Sequence, residues 1–234
     1  MVAKRIVSLK IRKTHRYLGV FIGLQFLAWT VSGLYFSWTD IDEIHGDQFR
    51  VESPLKKGLF SNLISFDSIP VQVEKLSLVS IDNQPYYWIN DQLLYQAQTG
   101  ILKKNISEKE AIGIAKQNLI EGLKVDHVEL LKTTDSHHEY RGQKLPVYAI
   151  HYEHPDLLVA YVDAKSGIFK KIRHESWRWF DFLWMGHTMD YVGRDNFNNL
   201  LLRIFSLFGL FTVISGFLLW GTSSPTLRKI LNWQ

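Results

Sequence analysis

The chain has 234 residues, 46% of them hydrophobic, no cysteine and a formal net charge of +4. The charge is unevenly placed: all 23 Asp and Glu fall between Asp40 and Asp195, where they outnumber the basic residues by five, and the two ends carry basic residues alone. Lack of cysteine excludes thiolate nucleophiles, Cys-ligated iron–sulfur clusters and covalent CxxCH haem attachment, and without a basic surface interleaved with aromatics no nucleic-acid partner is expected.

Residues 1–16 form a basic tail with Lys4, Arg5, Lys10, Arg12, Lys13 and Arg16. Residues 17–38 and 199–220 are then predicted as two transmembrane helices, free of Asp, Glu, Lys and His. At 1.5 Å rise per residue each spans about 30 Å, the thickness of the hydrocarbon layer of a bilayer. A cleaved signal sequence fits less well, because the first apolar run is about twice the usual core length and no small-x-small site ends it before Trp38. Basic residues ahead of the first span, and Arg228 and Lys229 in the tail 221–234, predict an inner-membrane protein with both termini cytoplasmic and the middle extracytoplasmic, or periplasmic.

The outer region divides into a β-rich half, 39–105, and a second half, 106–172. Strands are expected at 71–80, 85–90 and 93–97, broken at Asp82-Asn83 and Asn90-Asp91. Ser107 followed by Glu110 fits a capping box, and Ala111, Ile114, Ala115, Asn118 and Leu119 keep helical spacing, so a helix is expected over about 108–121. Strands at 126–133, 145–152 and 157–163 follow. The chain also resembles itself: Tyr95-Gln-Ala-Gln-Thr-Gly-Ile-Leu-Lys-Lys104 aligns with Val162-Asp-Ala-Lys-Ser-Gly-Ile-Phe-Lys-Lys171, which predicts one strand–turn–strand unit used twice, with Gly100 and Gly167 at positive φ. The expected fold class is α+β: two transmembrane helices flanking a domain of helix plus antiparallel sheet, duplicated in part. Residues 173–198, with Trp177, Trp179, Phe180, Trp184 and Tyr191, read as an interfacial aromatic segment that presents His187 near headgroup level. Gly19, Gly23 and Gly33 offer close-approach points to the second span or to another copy.

The helix with Ala-x-x-x-Ala, the three strands and the closing Val-Asp-Ala-Lys-Ser-Gly turn resemble a PepSY domain. Lys13-Thr-His-Arg-Tyr-Leu-Gly19, Gly186-His187 and Ser215-Gly-Phe-Leu-Leu-Trp220 are similar to the PepSY-associated transmembrane family. Some members of that family are inner-membrane haem proteins linked to reduction of ferric siderophores. The resemblance therefore implies non-covalent haem b, electron transfer, and an iron complex as acceptor. Larger members carry additional spans, whereas this chain has two, so a full haem-binding bundle would need a second copy, a homodimer.

Imidazole coordinates haem iron axially, which makes the histidines at the membrane borders the candidate ligands. His15 stands on the inner side, and His45 and His187 on the outer side. His15 and His187 are separated by roughly a bilayer, while the nitrogens of a bis-His haem lie about 4 Å apart, so one copy cannot place both on one iron. His187 is expected to pair with His45 or with its symmetry mate, and His15 with its own mate. Arg203, one turn inside the second span, either meets a haem propionate or lipid phosphate or snorkels to the border. His45 with Asp40, Asp42, Glu43 and Asp47 suits a divalent or ferric ion, set against the plainer reading of a solvated turn. His151-Tyr-Glu-His154 and His137-His138-Glu139 are weaker metal candidates, the first because residues three apart on a strand face opposite sides. There is no nucleophile elbow, phosphate-binding glycine loop or HExxH, which disfavours a hydrolase or kinase. Two functions remain: a haem-dependent oxidoreductase, or a non-enzymatic tethered module that contacts a protein, peptide or metal in the envelope.

Overall fold

The structure, a computed structural model, describes residues 2–51 and 60–224. Arg228 and Lys229 lie outside the described residues, as do the side chains of Lys4 and Arg5. The chain divides into two compact units, Met1–Trp38 with Asp181–Gln234, and Thr39–Phe180.

The first unit is built on two long helices, α1 (Val2–Trp38) and α5 (Leu200–Ser223). Both are long and apolar enough to cross a membrane, over Leu9–Trp38 and Leu200–Gly221 at mean hydropathies of 1.5 and 2.0. Only 11% of each apolar window is buried, which is unlike a core helix of a water-soluble protein. The helix begins well ahead of residue 17 because the Lys- and Arg-rich approach is itself good helix-forming sequence with no breaker in it. The helices pack antiparallel: His15 meets Ser215, Phe21 stacks on Phe205 at 5.5 Å, and Phe26 lies over Gly209. The covered stripe of α5 recurs at Leu202, Phe205, Gly209, Thr212, Ser215 and Leu219, the spacing of one helical face. Gly209 and Gly216 are the close-approach glycines, since a Cβ there would stand 2.8 Å from Phe26 Cζ and 3.3 Å from His15 Cε1. Gly19, Gly23 and Gly33, expected in that role, would meet nothing within 4 Å. A side chain at any of the three would therefore find open space, so within one copy they are not the points of close approach.

The second unit holds two four-stranded antiparallel meanders. In the first, β1 (Leu76–Ile81), β2 (Gln84–Ile89), β3 (Leu93–Gln96) and β4 (Leu102–Lys103) lie in sequence order. Asp82-Asn83 and Asn90-Asp91 form its tight turns, all four residues at positive φ, which short polar side chains tolerate. The capping box forms as read: Ser107 N–H donates to Glu110 Oε2 at 2.7 Å and Glu110 N–H to Ser107 Oγ at 3.3 Å, opening α3 (Glu108–Asn118). The second sheet runs β5 (Val125–Leu131), β6 (Val147–Tyr152), β7 (Val159–Asp163), β8 (Phe169–Arg173), so four strands, rather than three, follow the helix. One core joins α3 (Ala111, Ile114, Ala115) to Ile81, Trp88 and Leu94 of the first sheet and Ile150, Ala160, Val162 and Ile172 of the second.

The turns of the hairpins β3–β4 and β7–β8 close through equivalent bonds, although the β7–β8 ladder shifts register beyond its turn. Gly100 N–H donates to Gln96 O at 2.8 Å and Gly167 N–H to Asp163 O at 2.9 Å. Gln96 N–H reaches Ile101 O and Asp163 N–H reaches Ile168 O at 2.9 and 3.0 Å, and the glycines have φ of 72° and 69°. The strand–turn–strand unit does occur twice. A short helix α2 (Ile41–His45) opens the unit, and α4 (Glu175–Thr188) leads out of it.

Candidate functional site

The two apolar helices carry six serine and threonine side chains between residues 17–38 and 200–220, and two of them hold histidines. Ser32 of α1 lies 2.7 Å from His187 Nδ1, and Ser215 of α5 lies 2.7 Å from His15 Nδ1. In both pairs the hydroxyl proton is already committed to the helix backbone: Ser32 Oγ donates to Ala28 O at 2.8 Å and Ser215 Oγ to Thr212 O at 2.7 Å. A hydroxyl that donates elsewhere accepts from the imidazole, so each ring carries its proton on Nδ1. The lone pair of the neutral ring then sits on Nε2, the nitrogen left to face a metal.

His187 is held by more than the serine. Trp29 Nε1 donates to its carbonyl oxygen at 2.8 Å, and the ring stands edge-on to Phe36 with centroids 5.5 Å apart. Trp184 packs edge-on against Phe36 at 5.7 Å and Phe197 at 5.3 Å, and Asn199 Nδ2 ties Thr188 O at 2.9 Å to the start of α5. The ring therefore sits beside Ser32, six residues back from Trp38 and so about 9 Å along the helix axis. Along α1, 17 residues separate His15 from Ser32, or about 25 Å at the helical rise. The two imidazoles thus mark opposite ends of the helix pair. Next to His15, Val213, Gly216, Phe217 and Trp220 line a shallow apolar groove of about 470 Å³. Arg203 has its side chain exposed on α5.

His45 belongs to the second unit and is exposed at the end of α2. The acidic residues around it do local work: Asp40 Oδ1 caps α2 by accepting from Asp42 N–H at 2.9 Å, and Asp47 pairs with Arg50 at 3.2 Å. Among the described residues, the ligand atoms of Asp40, Asp42, Glu43, His45 and Asp47 do not bring any three within 4.8 Å of one another. Glu139 is likewise structural, accepting from the buried Tyr161 hydroxyl at 2.6 Å and pairing with Arg178 at 2.7 Å. His151 and His154 face opposite sides, as strand geometry requires: His154 packs on Phe49 at 5.3 Å and His151 stacks on His127 at 4.2 Å.

Among the described residues, one group of three brings its ligand atoms within 4.8 Å of one another, His127, Glu129 and His151. Burial, and then the neighbouring His127, hold the His151 imidazole below its usual range, which favours the neutral ring. Sequence reading missed His127 and Glu129, because their neighbour is set by the β5–β6 register, in which His127 stands opposite His151. It also missed Ser32 and Ser215; a hydroxyl in mid-span was the signal available for both. Compared with protein-family models, curated proteins and solved structures, the chain has no match.

Proposed function

We propose that this is an inner-membrane protein of the PepSY-associated transmembrane type, with both termini cytoplasmic, that binds b-type haem non-covalently and passes electrons outward to a ferric or other metal complex. The observation that carries the reading is the pair of serine-held histidines, one near each end of an antiparallel pair of apolar helices, each with its proton placed on Nδ1. The serine contact fixes the orientation of each ring and leaves its other nitrogen without a side-chain hydrogen bond, the arrangement a ligating imidazole requires. Exposed Lys10, Arg12, Lys13 and Arg16 at the His15 end support the orientation.

The residues present fit the group. Each site offers one imidazole with its second nitrogen available, and the groove beside His15 is apolar, with Gly216 among its lining residues. Bound haem would supply a one-electron carrier. The chain's own part is to orient each ring through Ser32 or Ser215, to exclude water with Phe36, Trp29 and Trp184 around His187, and to hold the ring proton away from the ligating nitrogen. Because about 25 Å separates the histidines along α1, one copy could not bring both to one haem, and a further imidazole would come from the same residue of a second copy.

The test is a visible spectrum of detergent-purified protein from haem-replete cells, before and after dithionite. A Soret band with sharp reduced α and β bands is expected, with partial loss in His187→Ala and in His15→Ala. Colourless protein, or a spectrum untouched by both substitutions, overturns the proposal and leaves a tethered envelope-binding module.

A further inference from the structure

The second unit carries a side-chain cluster that neither the helix pair nor the domain core uses. On β5, His127 and Glu129 are two residues apart and share one face, and the register sets His127 opposite His151 and Glu129 opposite Ala149 on β6. This face is the one turned away from α3, since Val128 and Ile150 point into the core on the other side. β5 is an edge strand, so the cluster opens to solvent: the side chains of His127 and Glu129 are half exposed, at 50% and 54%. The two imidazole rings stack at 4.2 Å with only 9° between their planes.

We propose that His127, His151 and Glu129 form a binding site for a divalent transition-metal ion of the Zn²⁺ class, with a fourth position open to solvent. The donor set of two imidazoles and one carboxylate suits a borderline ion better than a hard one such as Ca²⁺ or Mg²⁺. Around a tetrahedral ion with bonds of 2.0–2.2 Å, neighbouring ligand atoms stand about 3.4 Å apart. His127 Nε2 and Glu129 Oε1 already lie 3.7 Å apart, and all three ligand atoms lie within 4.8 Å, a gap that side-chain rotation closes. Ala149 opposite Glu129 has no bulk beyond Cβ, which leaves the carboxylate room to lean diagonally toward His151.

A fourth residue completes the arrangement. The ladder shifts register between Val125 and His127, and Asp126 Oδ2 lies 2.8 Å from His127 Nδ1. A carboxylate on Nδ1 fixes the ring proton there and turns Nε2 toward Glu129, the usual outer-shell support of a metal-bound histidine. The stacked rings, the adjacent carboxylate and the orienting aspartate all stand on two paired strands, so their spacing is held by backbone hydrogen bonds rather than by a loop.

The site is independent of haem, and its test uses apo-protein: the full chain in detergent, stripped with chelator and titrated calorimetrically with Zn²⁺ alone. One ion per chain is expected, with a dissociation constant in the micromolar range or tighter. His127→Gln and His151→Gln should each weaken it at least 100-fold, and Asp126→Asn by roughly 10–100-fold. His45→Gln and His137→Gln serve as controls and should leave it unchanged. Co²⁺ in place of Zn²⁺ gives a second readout, a visible band of four-coordinate type that disappears in His151→Gln while the far-ultraviolet circular dichroism stays that of the parent. Zn²⁺ binding that survives the His127→Gln/His151→Gln double variant, or its absence from folded parent protein, overturns the proposal. Neither outcome depends on whether the protein binds haem.

Discussion

Gly167→Ala is the substitution whose cost the structure defines best. Gly167 has φ of 69°, and a Cβ built there would stand 2.9 Å from Ile81 Cδ1, 3.0 Å from Ile81 Cγ1 and 3.2 Å from Ile114 Cδ1. Left-handed backbone costs an alanine about 1–2 kcal/mol. Ile81 is 1% exposed and Ile114 5%, so neither side chain has free space to move into, and overpacking adds about 1–3 kcal/mol. The total is about 2–5 kcal/mol, or, at roughly 3 °C per kcal/mol for a unit of this size, a fall of roughly 6–15 °C in Tm. Gly122 supplies the control: its φ is 89°, but a Cβ there meets nothing within 4 Å, so Gly122→Ala should cost only the backbone term, about 1–2 kcal/mol. Thermal unfolding of the purified full chain, followed by near-ultraviolet circular dichroism, measures both. Ile81→Val removes the nearest atom, so the double variant Ile81→Val/Gly167→Ala should be more stable than the sum of the two single losses predicts. Equal Tm values for Gly167→Ala and Gly122→Ala, or strict additivity with Ile81→Val, would refute the packing argument.

Tyr161→Phe removes the 2.6 Å hydrogen bond to Glu139 from a residue 1% exposed, and should destabilise the chain by about 1.5–3 kcal/mol in the same assay, while Tyr140→Phe, whose ring stacks on Tyr161, should cost less. Burial works against ionisation of Glu110, but the Ser107 amide and the Lys103 ammonium at 3.0 Å more than offset it and hold its carboxyl below the ordinary value of 4.5. Since the folded value is the lower one, the stabilisation is complete above pH 4.5 and is lost as pH falls through the depressed value; Glu110→Gln should flatten unfolding-versus-pH curves in that acid window and leave their shape near neutrality unchanged. Gly209→Ile should lower the stability of the helix pair because Cβ alone would reach within 2.8 Å of Phe26, whereas Gly23→Ile, with nothing within 4 Å, should not; tryptophan fluorescence during unfolding in detergent distinguishes them. If the helix pair binds haem, Ser32→Ala should retain the cofactor and shift its midpoint potential, because the ring proton on Nδ1 of His187 loses its acceptor; an unchanged potential would show that the serine does not tune the ligand.

Periodicity and composition were enough to place both long helices, α3 with its capping box, and six of the eight strands. Each of these is a local property: twenty or so apolar residues have few alternatives to a helix, Ser107 and Glu110 satisfy each other within one turn, and Asp82-Asn83 and Asn90-Asp91 accept positive φ wherever they occur. The repeat was legible for the same reason, since the hairpin around Gly100 and that around Gly167 close through bonds no more than five residues apart. The two-residue β4 was not legible, because a strand that short has no alternation to read.

Tertiary structure decided which side chains meet. His15 finds Ser215 across 200 residues and His187 finds Ser32 across 155, and nothing in either neighbourhood announces the other. Which glycines make close contact was also a matter of packing: sequence spacing drew attention to Gly19 and Gly23, but it is Gly209 and Gly216 of α5 that Phe26 and His15 of α1 press against. His127, Glu129 and His151 illustrate the same limit, since strand register fixes which residues stand opposite one another and a slip of one position would send the histidines to different faces. What the chain alone determined is therefore its set of elements, each stabilised by neighbours in sequence; what only the folded molecule decided is the pairing of polar groups between elements, because such pairs form through space and leave no periodic trace along the chain.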